Sequence, residues 1–229
     1  MAVGETPAGP GLFTALPPAT VQALLGVGVE RRFRPGEVLL LEGEPTTHVI
    51  LLLSGCVKVT AGTTDGGRAL LAVRLPGELI GELAGLDGRP RSATVTAVGL
   101  VNTRVMTQAV FQAFLRDHPD AGVAVSRSVA AKLRWATARR VDFSGYDVPV
   151  RVARVLATLV RSHGTRTQRG WEIGFPLSQP ELAALIGAAE PTVHKSLSEL
   201  RRKSVLETGY RRMTILDLPR LHLLAGLPD

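Results

Sequence analysis

The sequence predicts an α+β fold in three consecutive parts: a roll of short strands, one long central helix, and a small helical domain closed by a hairpin. Three observations carry that prediction. Between about Val29 and Thr107 short β-type runs alternate with turn residues, at Arg34-Pro35-Gly36, Glu42-Gly43-Glu44-Pro45, Ser54-Gly55, Thr64-Asp65-Gly66-Gly67, Pro76-Gly77 and Asp87-Gly88, the spacing of an all-β roll or barrel. After Thr107 the apolar residues recur at helical spacing. Beyond Ser144 the order reads helix, short strand, helix, glycine turn, helix, hairpin. The boundaries that result are 12–116 for the roll, 117–143 for the central helix and 144–229 for the C-terminal domain.

Each element has a local reason. Residues 1–11 are rich in Gly and Pro and predict a frayed start. Leu12-Phe13 through Leu24-Leu25 has near-helical apolar spacing broken by Pro17-Pro18, hence a short helical lead into the roll. Val110, Phe111, Phe114 and Leu115 form an amphipathic turn or two, and Asp117-His118-Pro119-Asp120 breaks the chain and opens a new helix. That helix should reach about Val141. Val129, Leu133 and Ala136 have the four-three spacing of a coiled-coil seam, weakly extended by Ser126 and Arg140. A helix of ~22 residues spans ~33 Å and outruns one small roll, so the seam predicts a homodimer, with packing of these residues on their own roll as the competing reading.

In the last part Asp147 caps a helix carrying Val152, Val155, Leu156 and Leu159, and Trp171 to Pro176 reads as a short strand. Ser178-Gln179-Pro180-Glu181 is a capping box with proline in the first turn, Gly187 ends that helix, and Pro191 lies in the first turn of the next. Val193, Leu197 and Leu200 point inward there. The stretch from Ser204 to Leu216 reads as a hairpin, so the unit is a winged helix-turn-helix.

Composition narrows the partner. The 229 residues carry a formal charge of +7, which favours an anionic partner, nucleic acid before membrane surface. Charge is densest at the end: from Arg140 to Asp229 there are 13 Lys or Arg against 9 Asp or Glu, a net of +4. Aromatics are only 4%, so Leu, Val and Ala must build the core. The single Cys56 excludes an internal disulfide framework or a four-thiolate cluster. No signal sequence and no run of about 18 apolar residues is present, which predicts a cytoplasmic protein without a membrane span. His48, His118, His163, His194 and His222 are scattered and give no metal site, and no G-x-S-x-G, P-loop or H-E-x-x-H motif occurs. Glu82 has no second acid at catalytic spacing. An enzyme is not predicted.

The most informative stretch is G-E-L-I-G-E-L-A-G-L-D-G-R-P-R-S-A-T-V, Gly77 to Val95. Gly81-Glu82-Leu83-Ala84 reads as a glycine-led turn exposing backbone N–H groups beside a carboxylate able to accept from a ribose 2′-OH. Arg91 adds a guanidinium fork next to the Ser92 hydroxyl, suited to a small phosphate. Together they describe a cyclic nucleotide. The bland alternative is a Glu82–Arg91 ion pair bracing a hairpin.

G-E-L-A, a six-residue insert without strong secondary structure, then R-S-A-T-V resembles the phosphate-binding cassette of cyclic-nucleotide-binding domains. The resemblance implies that Glu82 takes the ribose 2′-OH, while Arg91, Ser92 and the amides of Leu83 and Ala84, beside Gly81, take the cyclic phosphate, with cAMP the foremost effector and no other cofactor. L-S-Q-P-E-L-A-A-L-I-G-A-A-E-P-T-V-H-K-S-L-S-E-L resembles the reading head of the CRP/FNR family of bacterial transcription regulators. The resemblance implies a homodimer on double-stranded DNA, with Ser178, Gln179, Glu190, Thr192, His194 and Lys195 toward the duplex, and RNA polymerase as a further partner.

Two departures bear on function. Catabolite-activator-type members open the recognition helix with R-E-T-V-x-R, where the Arg reads a guanine and the Glu a cytosine. Here that stretch is Glu190-Pro191-Thr192-Val193-His194-Lys195. The usual half-site is therefore not expected. In the central helix the family's adenine-touching Thr is replaced by Ala136, while Thr137 keeps a hydroxyl at the next position. Two rival readings remain: a DNA-binding regulator with a relic pocket, and a nucleotide sensor acting by protein contact.

Overall fold

The computed structural model describes residues 11–63, 66–175, 178–209 and 212–227. The start of the chain before Gly11, Thr64-Asp65 of the sequence-predicted turn, Pro176-Leu177, Tyr210-Arg211 of the sequence-predicted hairpin, and Pro228-Asp229 lie outside the described residues. The chain divides into two compact units between Leu133 and Arg134.

The first unit opens with α1 (Leu12–Ala15) and α2 (Pro18–Gly26), the latter started by a proline whose fixed φ suits the first helical turn. Strands β1 (Val29–Phe33), β2 (Val38–Leu40), β3 (Val49–Ser54), β4 (Val57–Gly62), β5 (Arg68–Arg74) and β6 (Leu79–Ile80) follow. Then come the short helix α3 (Glu82–Asp87), β7 (Thr94–Ala97), β8 (Val101–Met106), α4 (Gln108–Asp117) and the long α5 (Pro119–Gly145). Two antiparallel four-stranded sheets, in the orders β1-β8-β3-β6 and β2-β7-β4-β5, make the roll.

β3 shows why the roll needs its helices. Its Ile50 and Leu52 pack with Phe33, Leu40, Val57, Val95 and Val101 between the sheets. Its alternate residues Val49 and Leu51 pack outward with Leu12, Leu24, Phe111, Phe114, Ala121 and Val125 from the helices. Both faces are buried, so the strand reads V-I-L-L-L without polar alternation. α2 is tied to the first turn of α5 by Thr20 Oγ1, which donates to Asp120 at 2.6 Å.

The second unit contains the end of α5, then α6 (Val148–His163), β9 (Gly164–Thr167), β10 (Gly170–Ile173), α7 (Gln179–Ile186), α8 (Glu190–Arg202), β11 (Leu206–Gly209), β12 (Arg212–Ile215) and α9 (Leu218–Leu224). The sheet order is β11-β12-β10-β9. Leu156, Leu182, Leu185, Val193, Leu197, Val205, Ile215 and Leu221 form its buried core. The capping box holds: Ser178 N donates to Glu181 Oε2 at 2.8 Å, and Glu181 N to Ser178 Oγ at 3.4 Å.

Three details differ from the sequence reading. The G-E-L-A turn opens a helix that runs on into the insert as far as Asp87, because Gly81 and Gly88 both take left-handed conformations at its ends while Leu83, Ala84 and Leu86 are good helix formers. α5 runs on to Gly145, since Ser144 Oγ bonds back to Arg140 O and no breaker interrupts it. β9 was not foreseen; its Thr-Arg-Thr is too short to signal a strand alone and owes its order to pairing with β10.

Candidate functional site

The G-E-L-A turn is built around Gly81. Its φ of 75° favours glycine, and a Cβ there would stand 2.5 Å from Arg91 Nη1 and 2.9 Å from Leu40 Cδ1. Glycine thus lets the guanidinium lie against the turn. Leu83 and Ala84 follow as the second and third residues of α3, so no intrahelical bond takes their N–H groups. Ala84 is buried, whereas Leu83 and Ser92 are exposed.

Arg91 is 4% exposed and fully engaged on one side. Nε donates to Thr46 Oγ1 at 3.0 Å, Nη1 to Gly81 O at 3.0 Å and Nη2 to His48 O at 2.6 Å. Of its five N–H groups, one on each terminal nitrogen remains among the described residues. Burial lowers the Arg91 pKa, against the Glu44 and Glu82 carboxylates, which raise it. The neighbouring His48 is also lowered, by burial first and then by Arg91 and Arg31.

Glu82 does not pair with Arg91. Its Oε1 is 2.9 Å from Lys132 Nζ of α5, and the same Nζ donates to Leu79 O at 2.8 Å. Burial lowers the Lys132 pKa and the Glu82 carboxylate opposes that shift. Arg74 and Glu78 pair beside them at 3.4 Å. The sequence reading missed Lys132, because a lysine in the middle of a polar helix carries no mark that separates it from a solvated one.

Two of the three seam residues are exposed, Leu133 at 67% and Ala136, while Val129 is half-buried. Leu133 therefore does not pack on its own roll. Thr137 is exposed in the part of α5 beyond the unit boundary.

In the second unit α7 ends at Gly187, φ 66°, and α8 starts at Glu190 as expected. Val193, Leu197 and Leu200 are buried, which turns Glu190, Thr192, His194 and Lys195 to solvent, and Ser178 and Gln179 are exposed at the head of α7. Two short helices at a glycine turn thus present one polar face. The Arg201 guanidinium ties the end of α8 to the hairpin by donating to Thr208 Oγ1 at 3.1 Å.

A strand roll with this turn, followed by a winged helix-turn-helix, defines a DNA-binding regulator with a cyclic-nucleotide-binding domain. Residues 30–118 match the family model of the cyclic nucleotide-binding domain, and residues 150–224 that of the Crp-like helix-turn-helix domain. The chain is 29% identical over 211 residues to the CRP-like cAMP-activated global transcriptional regulator of Mycobacterium tuberculosis, covering 92% of this chain and 94% of that one. It is 32% identical over 200 residues to the transcriptional regulator LdrP of Thermus thermophilus, covering 86% and 96%. The fold superposes on FixK2 of Bradyrhizobium japonicum with a TM-score of 0.77 at 22% identity, over 89% of this chain and all of that one. The chain belongs to the CRP/FNR family, which consists of transcription regulators and not enzymes. Among the described residues no helix is long and apolar enough to cross a membrane.

Proposed function

We propose that the chain is a cytoplasmic homodimeric regulator whose hold on DNA is set by a cyclic nucleotide, cAMP first, bound in the roll by Gly81, Glu82, Leu83, Ala84, Arg91 and Ser92. The observation that carries this reading is the bond between Glu82 and Lys132. The carboxylate that would accept from the ribose 2′-OH is already joined to the long helix, so a ribose arriving there changes what Lys132 holds. A cyclic phosphate would meet the Leu83 and Ala84 amides and the two N–H groups Arg91 has left. Val129, Leu133 and Ala136 lie on the same helix as Lys132, and through them the pair of recognition helices would be set to successive major grooves ~34 Å apart. The M. tuberculosis relative's description as cAMP-activated supports cAMP as the first candidate. RNA polymerase is the further partner that family membership suggests.

One observation favours a second reading. Arg91 already satisfies two main-chain carbonyls and a hydroxyl, the arrangement of a structural brace, and a roll held that way works without nucleotide. Calorimetry of the full chain with cAMP, cGMP and a cyclic dinucleotide decides between them. Saturable binding of one, weakened by Glu82→Gln, supports the first reading; heat-silent titrations with all three leave a regulator with a relic pocket.

A further inference from the structure

α8 runs out into Arg201-Arg202-Lys203-Ser204, and all four residues are exposed. Ser204 N–H donates to Arg201 O at 2.9 Å and Val205 N–H to Leu200 O at 3.0 Å, the pair of bonds that turns a chain at a helix C-terminus. Ser204 takes φ 54° in that turn and is the only non-glycine residue at positive φ among the described residues. Glycine is the usual occupant, because a Cβ carries a steric cost in the left-handed region. What serine adds in its place is a hydroxyl, and among the described residues that hydroxyl has no hydrogen-bonding partner. Cations crowd it. Arg201, Arg202 and Lys203 precede it, and Arg220 of α9 reaches the same turn, its Nη1 3.4 Å from Lys203 O. Arg201 is engaged, donating to Ser198 Oγ at 2.8 Å and to Thr208 Oγ1 of β11 at 3.1 Å.

We propose that Ser204 is a phosphorylation site, read by an arginine-directed serine kinase through the cations just before it, and that its phosphoserine switches off the reading head. An exposed hydroxyl that follows three cations suits a kinase with an acidic substrate groove, and only the last turn of α8, where helices fray, has to open for it. In the step, Ser204 Oγ attacks the γ-phosphorus of ATP: the Oγ–P bond forms as the bond to ADP breaks, and the hydroxyl proton passes to the kinase's base. The product adds a charge of about −2 at neutral pH. It offsets two of the four cations and draws the Arg201 guanidinium from Thr208, which loosens α8 from β11. The site stands on the turn alone, whereas the switch rests on the function proposed above, in which the reading head meets DNA phosphate and the dianion repels it.

The test incubates the full chain with ATP and an arginine-directed kinase, the free catalytic subunit of cAMP-dependent protein kinase, and maps the phosphate by mass spectrometry of its peptides. One phosphate at Ser204 is expected, and none there in Ser204→Gly, a variant that suits the left-handed turn and should keep the parent's circular dichroism. No phosphate at Ser204 would overturn the site. A second arm follows a labelled random-sequence duplex by anisotropy. The phosphorylated chain should bind at least about tenfold more weakly, with a salt slope flatter by about two units, while Ser204→Gly carried through the same incubation should match the untreated parent. Phosphate at Ser204 with DNA affinity unchanged overturns the switch. An untreated parent that does not hold DNA overturns the proposed function and the switch together, and leaves the mapped site standing.

Discussion

Lys132 of the long helix holds Glu82 of the roll, Nζ to Oε1 at 2.9 Å, in a pair whose side chains are 19% and 7% exposed. Breaking one half of such a buried pair strands the other charge, at a cost on the order of 3 kcal/mol. Lys132→Met alone and Glu82→Gln alone should each destabilise the chain, and the double variant should return close to the parent. Urea unfolding of the four proteins reads the coupling directly. The pH dependence has a definite sign. Burial places the folded Lys132 pKa below the ordinary 10.5, so between the two values the unfolded chain binds more protons and stability rises with pH. Lys132→Met should remove that alkaline rise.

Arg91→Ala should fail in two ways at once. The guanidinium bonds Gly81 O, His48 O and Thr46 Oγ1, and removing it leaves three half-buried acceptors without that donor, at up to about 1 kcal/mol each. Lost nucleotide affinity in this variant is therefore interpretable only with its melting curve beside it. Ser92→Ala is the cleaner variant, since Ser92 is exposed; it should leave the melting temperature within a degree or two of the parent and weaken cAMP binding.

Leu133→Asp should yield monomers. Leu133 is 67% exposed in the single chain, so the substitution costs the isolated fold little, yet in the proposed seam it opposes two like charges. DNA affinity should fall by about a hundredfold or more with loss of the second reading head. Sedimentation that still shows a dimer places the interface elsewhere.

Gly187→Ala should destabilise the reading head. At φ 66° an alanine costs about 1–2 kcal/mol, and its Cβ would also run into the Phe143 ring. Phe143→Ala in the same chain should recover the steric part and leave the backbone part, which thermal unfolding of the single and double variants separates.

Lys195→Ala distinguishes base reading from phosphate anchoring. Lys195 is exposed on α8. A lost guanine contact should relax preference at one base pair by ~1–3 kcal/mol; a lost phosphate contact should weaken all sequences alike and flatten the salt slope by about one unit. Selection from a random duplex library measures both. Because Glu190 and Pro191 stand where the catabolite-activator type has Arg and Glu, the selected palindrome should differ from the usual one.

The sequence alone determined the order of parts and most element ends, because those depend on short-range physics. Glycines with no steric cost at positive φ, prolines in first helical turns, the Ser178–Glu181 box and the period of buried leucines are all local features, legible within a few residues. What they could not determine is who meets whom across the chain. Glu82 and Arg91 stand nine positions apart and read as partners, yet Lys132, fifty residues on from Glu82, takes the carboxylate, and the Arg91 fork turns to the carbonyls of His48 and Gly81. A buried charge takes whatever compensating group the packed roll and helix bring within about 3 Å, and that choice is made by tertiary packing rather than by sequence spacing.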